Sequence, residues 1–162
     1  MKHIWSPWRM KYIMDHERSN NCVFCNASQQ TNDADNLIVF RGQLAFVILN
    51  RYPYTSGHLM VVPYTHQPSI ENVDAATRSE MIELTTQSMT ILRSIYAPDG
   101  FNLGANIGEA AGAGVATHVH IHVVPRWAGD TNFMSAVSDI RVLPETLDDT
   151  YQRVRETWAK YF

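Results

Sequence analysis

The stretch Thr117-His118-Val119-His120-Ile121-His122-Val123-Val124-Pro125 decides how this chain is read. Histidine alternates there with apolar residues, which is the pattern of a β-strand. A strand is therefore expected over 117–124, ended by Pro125. Residues i, i+2 and i+4 of a strand share a face, so His118, His120 and His122 point together. Val119, Ile121 and Val123 then point the other way, into apolar packing. At ~3.3 Å per residue the outer two histidines are about 13 Å apart at Cα. One zinc ion, with bonds of about 2 Å to nitrogen, is a poor match for all three. The three histidines must divide the work between metal binding and chemistry. A single strand histidine is usually a satisfied core or surface residue. Three in strict alternation point to a site.

Outward from this stretch, the nearest relevant chemistry is Cys22-Val23-Phe24-Cys25, which holds the only two cysteines. With no secretory signal expected in Met1-Lys2-His3-Ile4-Trp5-Ser6-Pro7, this C-x-x-C reads as metal or redox chemistry. Two thiols supply half of a tetrahedral site, and the surplus histidines favour metal over a pair of buried core thiols. The chain has 162 residues, 45% of them hydrophobic and 18% charged, which fits one folded domain and excludes a disordered chain. No apolar run approaches the ~20 residues of a membrane span, and a cytoplasmic location is expected. The net charge of −3 argues against a general nucleic-acid binder but leaves room for a small anionic ligand held by a local pocket.

The remaining segments give an α+β plan, one helix packed on an antiparallel sheet. Residues 28–36 are polar and read as a loop. Strands are expected at 37–40 and 44–49 around the turn-prone Arg41-Gly42-Gln43, then at 58–63 and 101–107. Asp74 is the expected N-cap of the main helix. Met81, Leu84, Ile91, Leu92 and Ile95 lie on its inner face with Ser88 as the small member, and it ends before Pro98-Asp99-Gly100. Residues 108–117 are rich in Ala and Gly, and 147–161 are expected to form a terminal helix.

The run His118-Val119-His120-Ile121-His122-Val123-Val124 resembles the signature of the histidine-triad (HIT) superfamily, H-φ-H-φ-H-φ-φ with φ apolar. The likeness extends to Asn50, to Gly57-His58-Leu59-Met60-Val61-Val62-Pro63, to Pro63-Tyr64-Thr65-His66 and to Asn106 and Gly108. The segments Trp5-Ser6-Pro7-Trp8-Arg9-Met10 and Val124-Pro125-Arg126-Trp127-Ala128-Gly129-Asp130-Thr131-Asn132-Phe133-Met134 look like a bacterial branch related to diadenosine polyphosphate hydrolases and phosphorylases. The resemblance implies one HIT-like domain over 1–162, with a core from about residue 20 to residue 134 and packed terminal extensions. It implies a five-stranded antiparallel sheet, one main helix and a C-terminal helix, and a homodimer whose sheets join into ten strands.

For function it implies a nucleotidyl hydrolase or transferase that cleaves dinucleoside polyphosphates at the α-phosphorus. His120 would be the nucleophile and form a covalent nucleotidyl-histidine, His122 would bond the phosphate, and His58 would orient the site. Asn50 would hold the ribose hydroxyls. Asn106, Gly112, Gly114 and Thr117 would line the phosphates, the glycines allowing close backbone approach. Cys22, Cys25, His66 and His118 would bind a structural zinc, and magnesium would arrive with the substrate. Trp5, Trp8 and Trp127 would serve the base or the packing. One departure matters: Ala111-Gly112-Ala113-Gly114-Val115-Ala116-Thr117 lacks the glutamine that many hydrolase members carry before the triad. This more open loop leaves both water and inorganic phosphate as acceptors. The rival readings are a phosphoramidate hydrolase, a nucleotide-binding module with little turnover, a hydrolase with an open zinc, and an enzyme that removes adenylate from nucleic acid.

Overall fold

Continuous apolar runs make the centre of the sheet, and polar turns place its edges. In a computed structural model, of which residues 22–130 and 144–162 are described, β1 (Ile38–Arg41), β2 (Ala45–Leu49), β3 (Leu59–Pro63), β4 (Gly100–Gly104) and β5 (Ile121–Arg126) form one sheet of order β1-β2-β3-β5-β4. Every neighbouring pair is antiparallel. Every residue of β2 and β3 is buried, as expected of uninterrupted apolar strands in a sheet interior. The hairpin between β1 and β2 is closed by Glu80, whose carboxylate accepts the backbone N–H of Gln43 at 2.7 Å and Leu44 at 3.0 Å. A Cβ at Gly42 would lie 2.1 Å from that carboxylate oxygen, so the turn residue must be glycine for the clamp to close.

The long helix α3 (Ala75–Tyr96) begins where expected. Asp74 accepts the Thr77 N–H at 3.0 Å, a cap of the kind that contributes about 1 kcal/mol. Met81, Leu84, Ser88, Ile91 and Leu92 are buried against β2, β3 and β5. The Ser88 hydroxyl is satisfied within the helix by Leu84 O at 2.7 Å. At Gly57 (φ +78°) a Cβ would sit 2.9 Å from Leu92 and Tyr96, so both the backbone and the packing require glycine. The terminal helix α4 (Leu147–Tyr161) spans the expected residues. Thr146 caps it by accepting the Asp149 N–H, and it lies against α3 and β1 with Trp158 stacked on Phe40.

Three expectations are corrected. The polar segment 28–36 is not all loop: α1 (Val23–Gln29) runs into it and α2 (Asp33–Asn36) closes it. Arg41 ties this segment to the sheet, donating to Asp33, Ser28 O and Gln30 O at 2.8 Å each. The fifth strand is β5, shifted towards the C-terminus. Its pairing with β3 covers only Ile121 to Val123, because β3 ends at Pro63, which has no N–H to offer. Further back, Val119 N–H finds Gln67 O instead of a strand. Beyond Val123, among the described residues, only β4 flanks the strand, so Pro125 is accepted opposite Phe101 at what is effectively an edge. The fourth strand stops at Gly104 because its partner β5 begins at Ile121. Trp5, Trp8 and residues 131–134 lie outside the described residues.

Candidate active site and metal centre

The shortened β5 separates the three histidines. His118 and His120 precede the strand, while His122 lies within it. His118 turns towards the N-terminal helix, where Cys22 stands just before α1 and Cys25 in its first turn. His118 Nδ1 is 3.3 Å from Cys22 Sγ and 3.6 Å from Cys25 Sγ, and His66 Nδ1 is 3.3 Å from Cys25 Sγ. All four donor atoms lie within 4.8 Å of one another. A tetrahedron with Zn–N bonds of ~2.0–2.1 Å and Zn–S bonds of ~2.3 Å has edges of about 3.3–3.8 Å. The donor set and spacing thus fit a closed four-coordinate cation. His118 Nε2 is 2.9 Å from Pro63 O. A carbonyl only accepts, so Nε2 carries the proton and the Nδ1 lone pair faces the sulfurs. Burial, with Cys22 beside it, pushes the Cys25 thiol up, which a bound cation would reverse.

Two residues on, the ring is turned the other way round. His120 Nδ1 lies 2.9 Å from His118 O. Here Nδ1 must hold the proton, and Nε2 keeps the lone pair. Burial holds the His120 pKa below the ordinary histidine range, which preserves the neutral ring. A second chain of bonds sets His122. The Tyr54 N–H donates to His58 Nδ1 at 3.1 Å, so the His58 proton is on Nε2. His58 Nε2 then donates to His122 Nδ1 at 2.9 Å. This leaves His122 Nε2–H as a donor. Burial, with His120 beside it, pushes the His122 pKa down to about 4. The buried His58 thus links the Tyr54 backbone to the His122 ring, with Asn50 Nδ2 3.4 Å from its Nδ1.

Both His120 and His122 open onto a cavity of about 330 Å³ that is also lined by Asn50, Asn106, Gly112 and Gly114. Six of the residues expected at the substrate thus meet in one place, and His58 stands behind them. Thr117 is exposed and is not among the lining residues; Val115 is. Trp127 lies away from this cavity, its indole N–H donating to Tyr96 O at 3.2 Å. Sequence reasoning missed the apolar wall. Val23, Phe24 and Ala27 of α1 line the cavity together with Leu37, Ile48 and Met60, with the Phe24 ring centroid 4.9 Å from that of His120. Strand register carried part of this signal. Ile38, Ile48, Met60, His122 and Gly104 pair successively across all five strands. A slot with apolar walls, four asparagine amides in its lining and two neutral imidazoles suits a planar base with an attached phosphate.

With this geometry in hand, the similarities to known proteins are informative. The HIT domain family matches residues 31–129. The AP-4-A phosphorylase of Mycobacterium tuberculosis (strain CDC 1551 / Oshkosh) is 36% identical over 167 residues, covering 99% of this chain and 86% of that protein. A Zn-bound histidine triad family protein from Mycobacterium smegmatis superposes with a TM-score of 0.70 at 28% identity, covering 86% of this chain and 94% of that one. A hypothetical histidine triad nucleotide-binding protein from Sulfolobus tokodaii strain7 gives 0.68 at 26% identity, covering 86% and 93%.

Proposed function

This chain belongs to the HIT domain family and is a HIT-type nucleotide-processing enzyme, and from that premise we propose that it cleaves dinucleoside polyphosphates at the α-phosphorus with His120 as nucleophile and inorganic phosphate as acceptor. The observation that carries the reading is the His120 ring. Its Nδ1–H is tied to His118 O, so the lone pair on Nε2 is held neutral at the cavity. That lone pair attacks the α-phosphorus, a P–N bond forms, and the P–O bond to the remaining phosphate chain breaks with its electron pair leaving on oxygen. The ring then carries positive charge, and the Nδ1–H bond to the carbonyl stabilises it. His122 Nε2–H donates to a non-bridging oxygen. In the second step an oxygen of the acceptor attacks phosphorus and the P–N bond breaks, restoring His120. Splitting one displacement into two in this way is the general advantage of a covalent route.

Asn50 holds the ribose, and Asn106 with Gly112 and Gly114 lines the phosphates. Phosphate as acceptor is favoured over water by the 36% identical phosphorylase and by the loop 111–117, where glycine and alanine stand in place of a glutamine. Zinc is the cation we assign to Cys22, Cys25, His66 and His118. Four protein donors close its coordination, so it supplies structure and no chemistry. A homodimer joined edge to edge into a ten-stranded sheet completes the reading, and sedimentation velocity tests it.

Product analysis with diadenosine tetraphosphate tests the function. ATP plus ADP, formed only with inorganic phosphate and absent with His120→Ala, is the expected result. ATP plus AMP without phosphate overturns the acceptor assignment. Equal activity of wild type and His120→Ala overturns the nucleophile.

A further inference from the structure

A second cavity, of about 410 Å³, lies on the far side of His122 and shares that residue, Tyr54 and Asn106 with the first. Its walls follow from register. His122, Val124 and Arg126 lie at alternate positions of β5 and share one face. Gly104 pairs with His122 and Asn102 with Val124. A Cβ at Gly104 would meet nothing within 4 Å, so the floor beside His122 is open. Arg126 stands at the outer end and is held on two sides. Asp130 takes its Nε–H and Nη2–H, at 2.5 and 2.8 Å, and Asn102 Oδ1 takes an Nη1–H at 2.7 Å. Three of the five guanidinium N–H donors are used, leaving one on each Nη. Asp130 offsets the charge but fixes the fork, which is the arrangement for bidentate recognition of an oxyanion.

In-line displacement gives this cavity a role. The leaving oxygen departs opposite the attacking nitrogen, and the acceptor enters from that same side. One subsite must therefore hold first the leaving phosphate chain and then the incoming phosphate. His120 lines the first cavity and not the second, whereas His122 lines both, and the two rings are 4.7 Å apart between centroids. We propose that the cavity between Gly104 and Arg126 is the phosphate subsite for both, with the Arg126 fork and Asn106 as its polar contacts. This rests on the nucleotidyl-transfer reading above and names a specificity residue for it.

The test compares ligands that do and do not reach the subsite. AMP fits within the first cavity, whereas diadenosine tetraphosphate and inorganic phosphate require the second. In a His120→Ala background, Arg126→Gln is expected to weaken tetraphosphate binding about ten- to hundred-fold, the range for losing a charge-assisted contact. AMP binding should stay within two-fold. In the active enzyme the same change should raise the KM for phosphate about ten-fold. Arg126→Lys should recover part of each loss, because it keeps the charge and loses the fork. A loss confined to the tetraphosphate assigns the subsite to the leaving chain, and one confined to phosphate assigns it to the acceptor. Unchanged tetraphosphate and phosphate terms, with AMP still bound, overturn the proposal. So does a parallel loss of AMP binding, which marks Arg126 as a structural pin. If the His120→Ala chain binds no AMP, the nucleotide reading itself fails and takes the subsite with it.

Discussion

His118 and His120 are the same residue two positions apart, both buried, and each gives one ring nitrogen to a backbone carbonyl at 2.9 Å. They differ in which nitrogen is tied. In His118 it is Nε2, so Nδ1 faces the two sulfurs. In His120 it is Nδ1, so Nε2 is left for the cavity. The carbonyl that each ring finds thus decides which nitrogen keeps its lone pair and what that lone pair faces, a choice that residue type alone does not contain. The same comparison links the two regions physically. The helix carrying Cys25 also supplies Phe24, packed on both rings at 5.5 and 4.9 Å. The helix that brings Cys25 into the Cys/His cluster therefore also supplies one wall of the cavity that His120 lines.

The largest expected effect comes from His120→Ala, which removes the free lone pair. Turnover should fall by at least about 10³-fold, the scale for loss of a covalent nucleophile, while nucleotide binding measured by calorimetry survives. Retained turnover would erase the distinction between the two rings. Cys22→Ala should act differently. It removes one of the four donors of the cluster that we propose holds zinc, so the first readouts are zinc content and a Tm lowered by about 10 °C, the expectation for loss of a structural metal. Activity should follow the unfolding. If activity vanishes on brief chelation while the fold persists, the cluster is part of the chemistry.

His58→Leu, of nearly conserved volume, breaks the chain from Tyr54 N–H to His122. Loss of this orienting partner should cost about 10–100-fold, the scale known for hydrogen-bond partners of metal-bound histidines. The loss should fall on kcat, with KM changed less than about three-fold, because no His58 atom lines the cavity. A KM effect of equal size would mean that His58 acts through packing.

The smallest effect is on stability against pH. The folded His122 pKa of about 4 lies below the ordinary histidine value of 6.5, so the unfolded chain takes up its proton first. Its contribution is complete above about pH 6.5 and is lost progressively as pH falls to about 4. Melting temperatures across that window should decline less steeply in His122→Gln. An unchanged slope would show that His122 is not held neutral.

Much of this molecule was legible in local sequence. The α3 cap at Asp74 depends on contacts within a few residues, and the buried Met81, Leu84, Ile91 and Leu92, the terminal helix and the existence of five strands are recorded by periodicity and turn residues. The triad and the C-x-x-C announced a site for the same reason, since unusual residues at regular spacing stand out in one dimension. What the tertiary structure alone decided is where each strand ends, which ring nitrogen is free, and what walls the cavity. The fifth strand begins at Ile121 because Pro63 of another strand withholds a donor. The cluster joins residues 93 and 96 positions apart. Thr117, one residue from the triad, stays at the surface, while Phe24, nearly a hundred residues away, packs on His120. Alternation along a chain specifies the face a side chain takes. The partner it meets there is set by packing between distant segments, which no local pattern encodes.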